Sequence, residues 1–341
     1  MTIGPTRSPD EARRGGRTQL VVHGGLLTAA LAGMLTAALA LTARLVPVTN
    51  HGILITAALS PYLSVGGAVA ALVLLGRRHR RLTAVAAVLA MAAVAVQIPH
   101  FVNSAPTEAT SVPLRVLTAN LEEGKADPAA VVALSSAHAD VLLVQELTPG
   151  LVTGLQRAGL DLQFPYRQLE AGPGATGVGI WSRFPIREYN RIGGFALGVL
   201  SATIRVPKAY ANAVVVTIHL TGPWPQPIDG WYGELSRLGP TLDQISGRAG
   251  SSSVIAAGDF NATADLQTFR ALFDRGFSSA TIQSGAGLAP TFPANSAIPP
   301  LIGIDHILTS RSWSSDAHTI RIPGSDHLGL YATVHLSAQQ Q

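Results

Sequence analysis

Three long apolar stretches in the first hundred residues restrict this chain more than any other feature. They run about 20–43 (LVVHGGLLTAALAGMLTAALALTA), 52–75 (GILITAALSPYLSVGGAVAALVLL) and 82–102 (LTAVAAVLAMAAVAVQIPHFV). At 1.5 Å of rise per residue, about 20 apolar residues cross a hydrocarbon core of roughly 30 Å, so each is long enough to span. A signal peptide carries an apolar run of only about 7–15 residues. The first stretch is longer and two more follow it, which predicts three transmembrane helices rather than a cleaved leader. Small residues, as in LAGMLTAALA, permit close helix packing. His23 and the Ser60-Pro61 pair read as a helix-end histidine and a tolerated proline kink.

Charge then divides the chain. Only 13% of the 341 residues are charged and mean hydropathy is +0.31, where soluble proteins run at about a quarter charged. Residues 1–112 carry nine Lys and Arg against three acids, a net of +6, while 113–341 carry fifteen against seventeen, a net of −2. The basic pI of about 9.8 therefore belongs wholly to the first third. Its arginines cluster at Arg7, Arg13, Arg14 and Arg17 and in the RRHRR loop at 77–81. Short cytoplasmic loops retain such an excess, which predicts a cytoplasmic N-terminus, a multi-pass segment in the cytoplasmic membrane, and an extracytoplasmic location for everything after about residue 103. Cysteine is absent, so disulfides, zinc thiolates and thiol nucleophiles are excluded.

The expected organisation is a basic N-terminus (1–19), three spans (20–102), a Ser/Thr/Pro linker (103–112) and a catalytic domain (113–337). Within the last, short β-rich runs (LRVLTAN, DVLLVQE, GVGIWS, AVVVTIHL, SVIAAGDF, IDHILTS, LYATVHL) alternate with helical patterns near 128–138, 229–248 and 264–274. That alternation predicts an α/β layered domain large enough for a sizeable core. The segment TGPWPQPIDGWYG, with three Pro, three Gly and two Trp, reads as a structured surface loop leading into a helix.

Polar residues close these strands. Asn120 ends LRVLTAN, Glu146 ends DVLLVQE, His219 lies near the end of AVVVTIHL, Asp259 and Asn261 follow SVIAAG, Asp305 and His306 sit in IDHIL, and Asp326 and His327 form SDH. Strand ends are where a rigid sheet presents groups into a cleft. Singly each is ordinary, since an Asn after a strand is usually a turn former. Together, carboxylates, two amides and histidines without thiols favour a magnesium- or manganese-type site. A nucleophilic serine fits worse, because no G-x-S-x-G elbow occurs.

RVLTANL, VQE, TIHL, GDFN, IDHIL and SDH, in this order, resemble the endonuclease/exonuclease/phosphatase superfamily across essentially all of 113–337. The resemblance implies a DNase I-like four-layer α/β sandwich, two packed mixed sheets flanked by helices, and a metal-dependent phosphoesterase. It implies Glu146 as principal ligand of Mg2+ or Mn2+, with Asn120 beside it and Asp326 contributing. Asp259 orients or deprotonates the attacking water, and Asn261 donates to a phosphate oxygen. His219 and His327 hydrogen-bond phosphoryl oxygens or serve the leaving group, and Asp305 orients the His327 ring. Spans ahead of such a domain also resemble the membrane-anchored bacterial members that include the teicoplanin-resistance type.

Weaker candidates carry structural alternatives. Arg183 in WSRFP, His306 and Trp224 are candidate substrate contacts, against a salt bridge, core packing and loop packing respectively; Arg237 is similarly ambiguous. Trp224, Trp231 and Tyr232 suit a membrane interface or an ordinary packed loop. His318 and His335 read as non-catalytic. A nuclease needs Lys and Arg for backbone phosphates, whereas the catalytic segment is net −2 with two lysines, Lys125 and Lys208. The expected substrate is therefore a phosphorylated lipid or envelope phosphate met at the bilayer, and the teicoplanin-resistance resemblance implies a polyprenyl pyrophosphate. The alternatives are an extracytoplasmic magnesium-dependent nuclease, for which nucleic acid is the partner, and a catalytically inactive membrane-anchored binding protein. No protein partner is inferable.

Overall fold

The computed structural model describes the backbone of residues 9–106 and 110–339, and side chains from residue 22 onward within them. The N-terminal arginines and residues 107–109 of the expected linker thus lie outside the described side chains. The helices are α1 (Pro9–Ala43), α2 (His51–Ala58), α3 (Ser60–Leu63), α4 (Val65–Gly76), α5 (Arg80–Phe101), α6 (Pro128–His138), α7 (Pro149–Arg157), α8 (Leu160–Gln163), α9 (Ile228–Ala249), α10 (Gln267–Arg270) and α11 (Ala280–Ser284). The chain forms two compact units. One comprises residues up to Leu45 with Leu59–Gln97, and the other comprises Val46–Ala58 with Ile98–Gln341.

Val22–Ala43 and Arg80–Phe101 mark helices long and apolar enough to cross a membrane. The expected second span is not one straight helix. Segments His51–Ala58 and Ser60–Gly76 meet at a bend of 66°, giving two candidate spans, or three if the bent pair is one. Pro61 supplies the reason: it has no N–H for the Ala57 carbonyl, and its ring crowds that carbonyl. Tight packing here rests on glycine. A Cβ on Gly33 would lie 2.7 Å from the Gly66 carbonyl oxygen, and one on Gly66 would lie 2.8 Å from that of Gly33, so the backbones of α1 and α4 meet with no side chain between them. The buried Arg44 guanidinium donates to Ser60 Oγ at 3.2 Å.

The second unit contains twelve strands among its described residues: β1 (Ser111–Asn120), β2 (Val141–Gln145), β3 (Tyr166–Glu170), β4 (Val178–Ser182), β5 (Ile186–Arg191), β6 (Gly198–Ile204), β7 (Ala213–His219), β8 (Ser253–Asp259), β9 (Ser278–Ser279), β10 (Asp305–Ser310), β11 (Trp313–Arg321) and β12 (Leu328–Ser337). They form two six-stranded sheets ordered β11-β12-β1-β2-β4-β3 and β5-β6-β7-β8-β10-β9. Each is mixed: β1–β2 and β7–β8 are parallel, and the remaining pairs are antiparallel.

Side-chain alternation explains the layering. Leu114, Val116, Val141 and Leu143 point inward to meet Leu200, Val215, Ile255 and Ile307 of the second sheet. Leu117, Leu142 and Val144 point outward and pack with Val131 of α6 and Leu151 and Leu155 of α7. Strands buried on both faces read as the continuous apolar runs seen in the sequence. On α9, buried Trp231, Leu235, Leu238, Leu242 and Ile245 recur at three- and four-residue spacing, the stripe of a core-facing helix. Burying one Leu, Ile or Val side chain contributes about 1.5–3 kcal/mol, and a surface ion pair such as Arg115–Asp140 about 1 kcal/mol or less. The layers, not the ion pairs, hold this fold.

The helix expected near 264–274 is shorter. Leu266 is extended, α10 covers only Gln267–Arg270, and left-handed Gly276 ends the following 3-10 turn. Asp265 N–H donates to Thr263 Oγ1 at 3.3 Å, a local turn that competes with helix initiation at 264.

Candidate active site

The parallel pairs bring the chemistry together. Register sets Asn120 beside Gln145, His219 beside Asp259, and Asp259 beside Asp305. Asn120 and Glu146 thus come from the first sheet and His219, Asp259 and Asp305 from the second, at one end of the sandwich. The GDFN glycine lets these strands approach: a Cβ on Gly258 would fall 1.9 Å from the Ile218 carbonyl oxygen.

Asn120 is fully buried and bridges the sheets. Its Nδ2 donates to Glu146 Oε1 at 3.0 Å and to Asp259 Oδ2 at 3.1 Å, and its Oδ1 accepts from Glu122 N–H at 3.0 Å. Glu146 has left-handed backbone (φ 58°), and Glu123 N–H donates to its Oε2 at 2.6 Å. Such backbone persists only where surroundings impose it. Asn261, also left-handed at φ 48°, donates through its amide to the Leu220 carbonyl at 2.9 Å, and its N–H caps Asp259 Oδ1 at 2.8 Å.

The two histidines differ. His327 Nδ1 faces Asp305 Oδ2 at 2.8 Å, and its Nε2 lies 3.8 Å from Asp259 Oδ2. Burial alone would lower its pKa, but the charges of Asp305 and Asp259 and the Asp305 hydrogen bond outweigh it and raise the value to about 10. His327 is thus an imidazolium, a ready hydrogen-bond and proton donor. His219 is nearly fully buried, and burial lowers its pKa against the opposing charge of Glu146. Its Nδ1 donates to the Ala175 carbonyl at 3.0 Å, leaving Nε2 3.7 Å from both Glu146 Oε1 and Asp259 Oδ2. In the neutral ring Nε2 is an acceptor, and it donates only after the ring gains a proton.

Burial raises the Asp259 pKa, opposed by His327 and by the Asn261 and Asn120 donors. Asp326 is raised as well, first by burial and then by the charges of Glu122 and Glu146, with His327 opposing. Crowded carboxylates of this kind call for a cation. Ligand atoms of Asp259, Asp305 and His327 lie within 4.8 Å of one another, and Asp305 Oδ1 is buried without a hydrogen-bond partner. The oxygen-rich donor set, with Glu146 and Asn120 adjoining, fits a hard divalent ion.

Three residues with open readings take structural positions. His306 follows Asp305 on β10 and so faces the opposite side. It is buried against Phe269 (4.3 Å) and Phe260 (5.5 Å), bonds the Ala262 carbonyl at 2.7 Å, and burial lowers its pKa to about 4. Arg183 follows β4 at the end remote from the site, where its guanidinium donates to the Ala139 (2.8 Å) and Ser136 (2.7 Å) carbonyls and lies over the Phe164 ring. Trp231 is 1% exposed and belongs to the core. Trp224, by contrast, is 67% exposed. Arg237 bonds the Gly194 carbonyl.

Several contributors escaped sequence reasoning. Ser325 Oγ donates to the Asn120 carbonyl (2.8 Å) and accepts from His327 N–H (3.0 Å). Thr291 Oγ1 accepts from the Ile304 and Asp305 amides, and Phe292 packs on the His327 ring at 5.0 Å. Buried Glu234 accepts from Ala196 N–H (2.7 Å), Thr221 N–H (2.9 Å) and Thr221 Oγ1 (3.0 Å). Only Glu234 left a usable signal, as an acid within the apolar stripe of α9.

Fold and site together define a phosphoesterase. A match to the Endonuclease/Exonuclease/phosphatase family over residues 117–327, more than half of the chain, places the protein in that family of phosphoester-hydrolysing, divalent-metal-dependent enzymes. No curated protein matches the sequence. Among solved structures, a humanized D. rerio TDP2 is similar with a TM-score of 0.53 at 19% identity, covering 65% of this chain and 98% of its own. A point variant of the 3' phosphatase NExo from Neisseria, bound to product DNA hairpin, scores 0.50 at 17% identity, covering 64% and 98%. A family protein from Bacteroides thetaiotaomicron scores 0.52 at 14% identity, covering 67% and 100%. At these identities the likeness concerns the fold.

Metal and pH are linked at this site, with a definite sign. Because the folded protein holds protons on Asp259 and Asp326 that the unfolded chain releases, metal-free stability falls as pH rises through their titration. His327 acts in the same direction: its contribution is present below the ordinary histidine value and is lost as pH rises through about 10. A cation displaces the carboxyl protons of Asp259 and Asp326, so magnesium should raise the thermal midpoint more at about pH 8 than at about pH 6. Melting curves of the detergent-solubilised chain with magnesium or chelator measure this, and an equal or larger increment on the acid side contradicts it.

Proposed function

We propose that this protein is a membrane-anchored, divalent-metal-dependent phosphoesterase that hydrolyses an extracytoplasmic phosphate ester or pyrophosphate carried on a lipid or envelope intermediate. The observation that carries the substrate reading is the distribution of charge: residues 113–341 have a net charge of −2 beside an apolar first third with net +6. A polyanionic strand would require a basic track, whereas one phosphoryl group needs only a compact site. The arginine clusters support an N-terminus inside and a catalytic domain outside the cytoplasmic membrane.

In this reading Glu146, Asn120 and Asp326, with Asp259 and Asp305 adjoining, would hold Mg2+ or Mn2+. When bound, the ion neutralises phosphoryl charge and polarises the bond to be broken. Asp259 orients water and takes its proton. Asn120 keeps Asp259 and Glu146 at fixed separation. His327, charged and backed by Asp305, donates to a phosphoryl or leaving-group oxygen, while Asn261 and His219 line the same end.

The test is a hydrolysis screen of the full chain with magnesium, following phosphate release from a polyprenyl pyrophosphate and inositol phosphates, headgroup release from phospholipids and strand breaks in plasmid DNA. Release from the lipid pyrophosphate without DNA cleavage supports the reading. DNA cleavage that falls steeply with salt establishes the nuclease alternative, and no turnover of any substrate favours an inactive binding protein.

A further inference from the structure

The 221–227 loop is held at two points, and one of them is contributed by α2. At its start, Thr221 is fastened to Glu234 by its N–H (2.9 Å) and hydroxyl (3.0 Å). Further on, His51 Nε2, at the first residue of α2, lies 2.8 Å from the Pro223 carbonyl and 3.3 Å from that of Gln226. The His51 ring also stands edge-on to Trp224, at 4.9 Å and 88°.

This loop borders the site. Leu220, just before it, accepts the Asn261 amide at 2.9 Å, and a Cβ on Gly222 would lie 3.7 Å from Asn261 Oδ1. Its exposed residues include Trp224, 67% exposed, and Ile55 on α2 is 49% exposed. Beyond α2 the chain enters the apolar Ser60–Gly76 segment with only Leu59 between. Within the catalytic unit, Trp224 therefore forms an exposed aromatic edge on the loop that borders the reacting end of the sandwich. Indole rings favour boundaries between apolar and wet surroundings.

We propose that His51 is a positioning residue: by tying the 221–227 loop, which meets Asn261 at Leu220 and Gly222, to α2 it fixes the exposed Trp224 edge of that loop, and that edge seats the hydrocarbon chain of a lipid-linked phosphate while its phosphoryl group occupies the site. The inference rests on the lipid-phosphate reading above. His51 touches no reacting atom, so its loss acts on recognition of the chain rather than on bond cleavage.

The experiment uses the full chain in detergent micelles with magnesium and two substrates, a polyprenyl pyrophosphate and the water-soluble diester bis-p-nitrophenyl phosphate. His51→Ala should raise KM for the lipid by about tenfold, the scale of one lost hydrogen bond plus a loosened contact, with kcat on both substrates and KM for the diester within about twofold of wild type. His51→Gln, whose amide reaches a similar donor position, should restore the lipid KM, and Trp224→Ala should reproduce the His51→Ala defect. Equal losses on both substrates, or an unchanged lipid KM in both alanine variants, overturn the proposal. A wild-type protein that hydrolyses the diester but no lipid-linked phosphate overturns the lipid reading and the inference with it, and measuring wild type on both substrates first separates that failure from a failure of His51 alone.

Discussion

Replacing Glu146 by alanine is expected to lower magnesium-dependent phosphate release by at least about three orders of magnitude, or about 4 kcal/mol at 1.4 kcal/mol per tenfold. The carboxylate meets three groups of the site: Asn120 donates to it, Glu123 N–H caps it, and His219 Nε2 lies 3.7 Å away. A left-handed Glu146 aims that carboxylate into the cluster rather than along the sheet. Its loss removes a charge that the cation needs while leaving the two cores untouched. The variant should therefore fold, and its melting midpoint should respond less to magnesium than that of wild type. Near-normal turnover in a folded Glu146→Ala protein would show that the cation is held elsewhere.

His327→Ala should cost about 10²- to 10⁴-fold in kcat, the range for removing a positioned general acid or base. The partner carboxylate gives a sharper form of this expectation. Asp305 Oδ2 sits 2.8 Å from His327 Nδ1, and its charge is a main reason that His327 stays protonated. Asp305→Asn should thus lower the pKa of His327 and move the basic limb of the pH–rate profile toward neutrality. In the His327→Ala background the same change should cost little, because both act on one proton donor. Fully additive losses would assign Asp305 an independent task, and its unpartnered Oδ1 makes cation binding the natural one.

The legible part of the fold followed from burial. Strands buried along their whole length, such as β2, β7 and β8, are mostly apolar runs and were recognisable as strands. Strand β5 is mostly exposed and lies at a sheet edge. Strands β3 and β11 alternate weakly, and β6 carries Gly198 and Ser201 in a short run. None of these four has a pattern strong enough to compete with a loop. The site was legible for a related reason: a polar residue that ends an apolar strand has few roles other than turn former or functional group, and here many such residues recur in one order.

From sequence alone came the apolar first third, the acidic second part, the α/β class and the residues Asn120, Glu146, His219, Asp259, Asn261, Asp305, Asp326 and His327, because hydropathy and strand-end polarity are local properties. Tertiary structure alone decided which neighbours share a face. Asp305 enters the site and His306 the phenylalanine cluster, since successive strand residues point to opposite sides. Arg183 is drawn to backbone carbonyls at the remote end of β4. The proline kink legible at Pro61 becomes a full bend, leaving α2 packed within the catalytic unit and His51 against a loop more than 170 residues away. Contacts across such separations depend on how two sheets and their edges dock, and no local pattern records them.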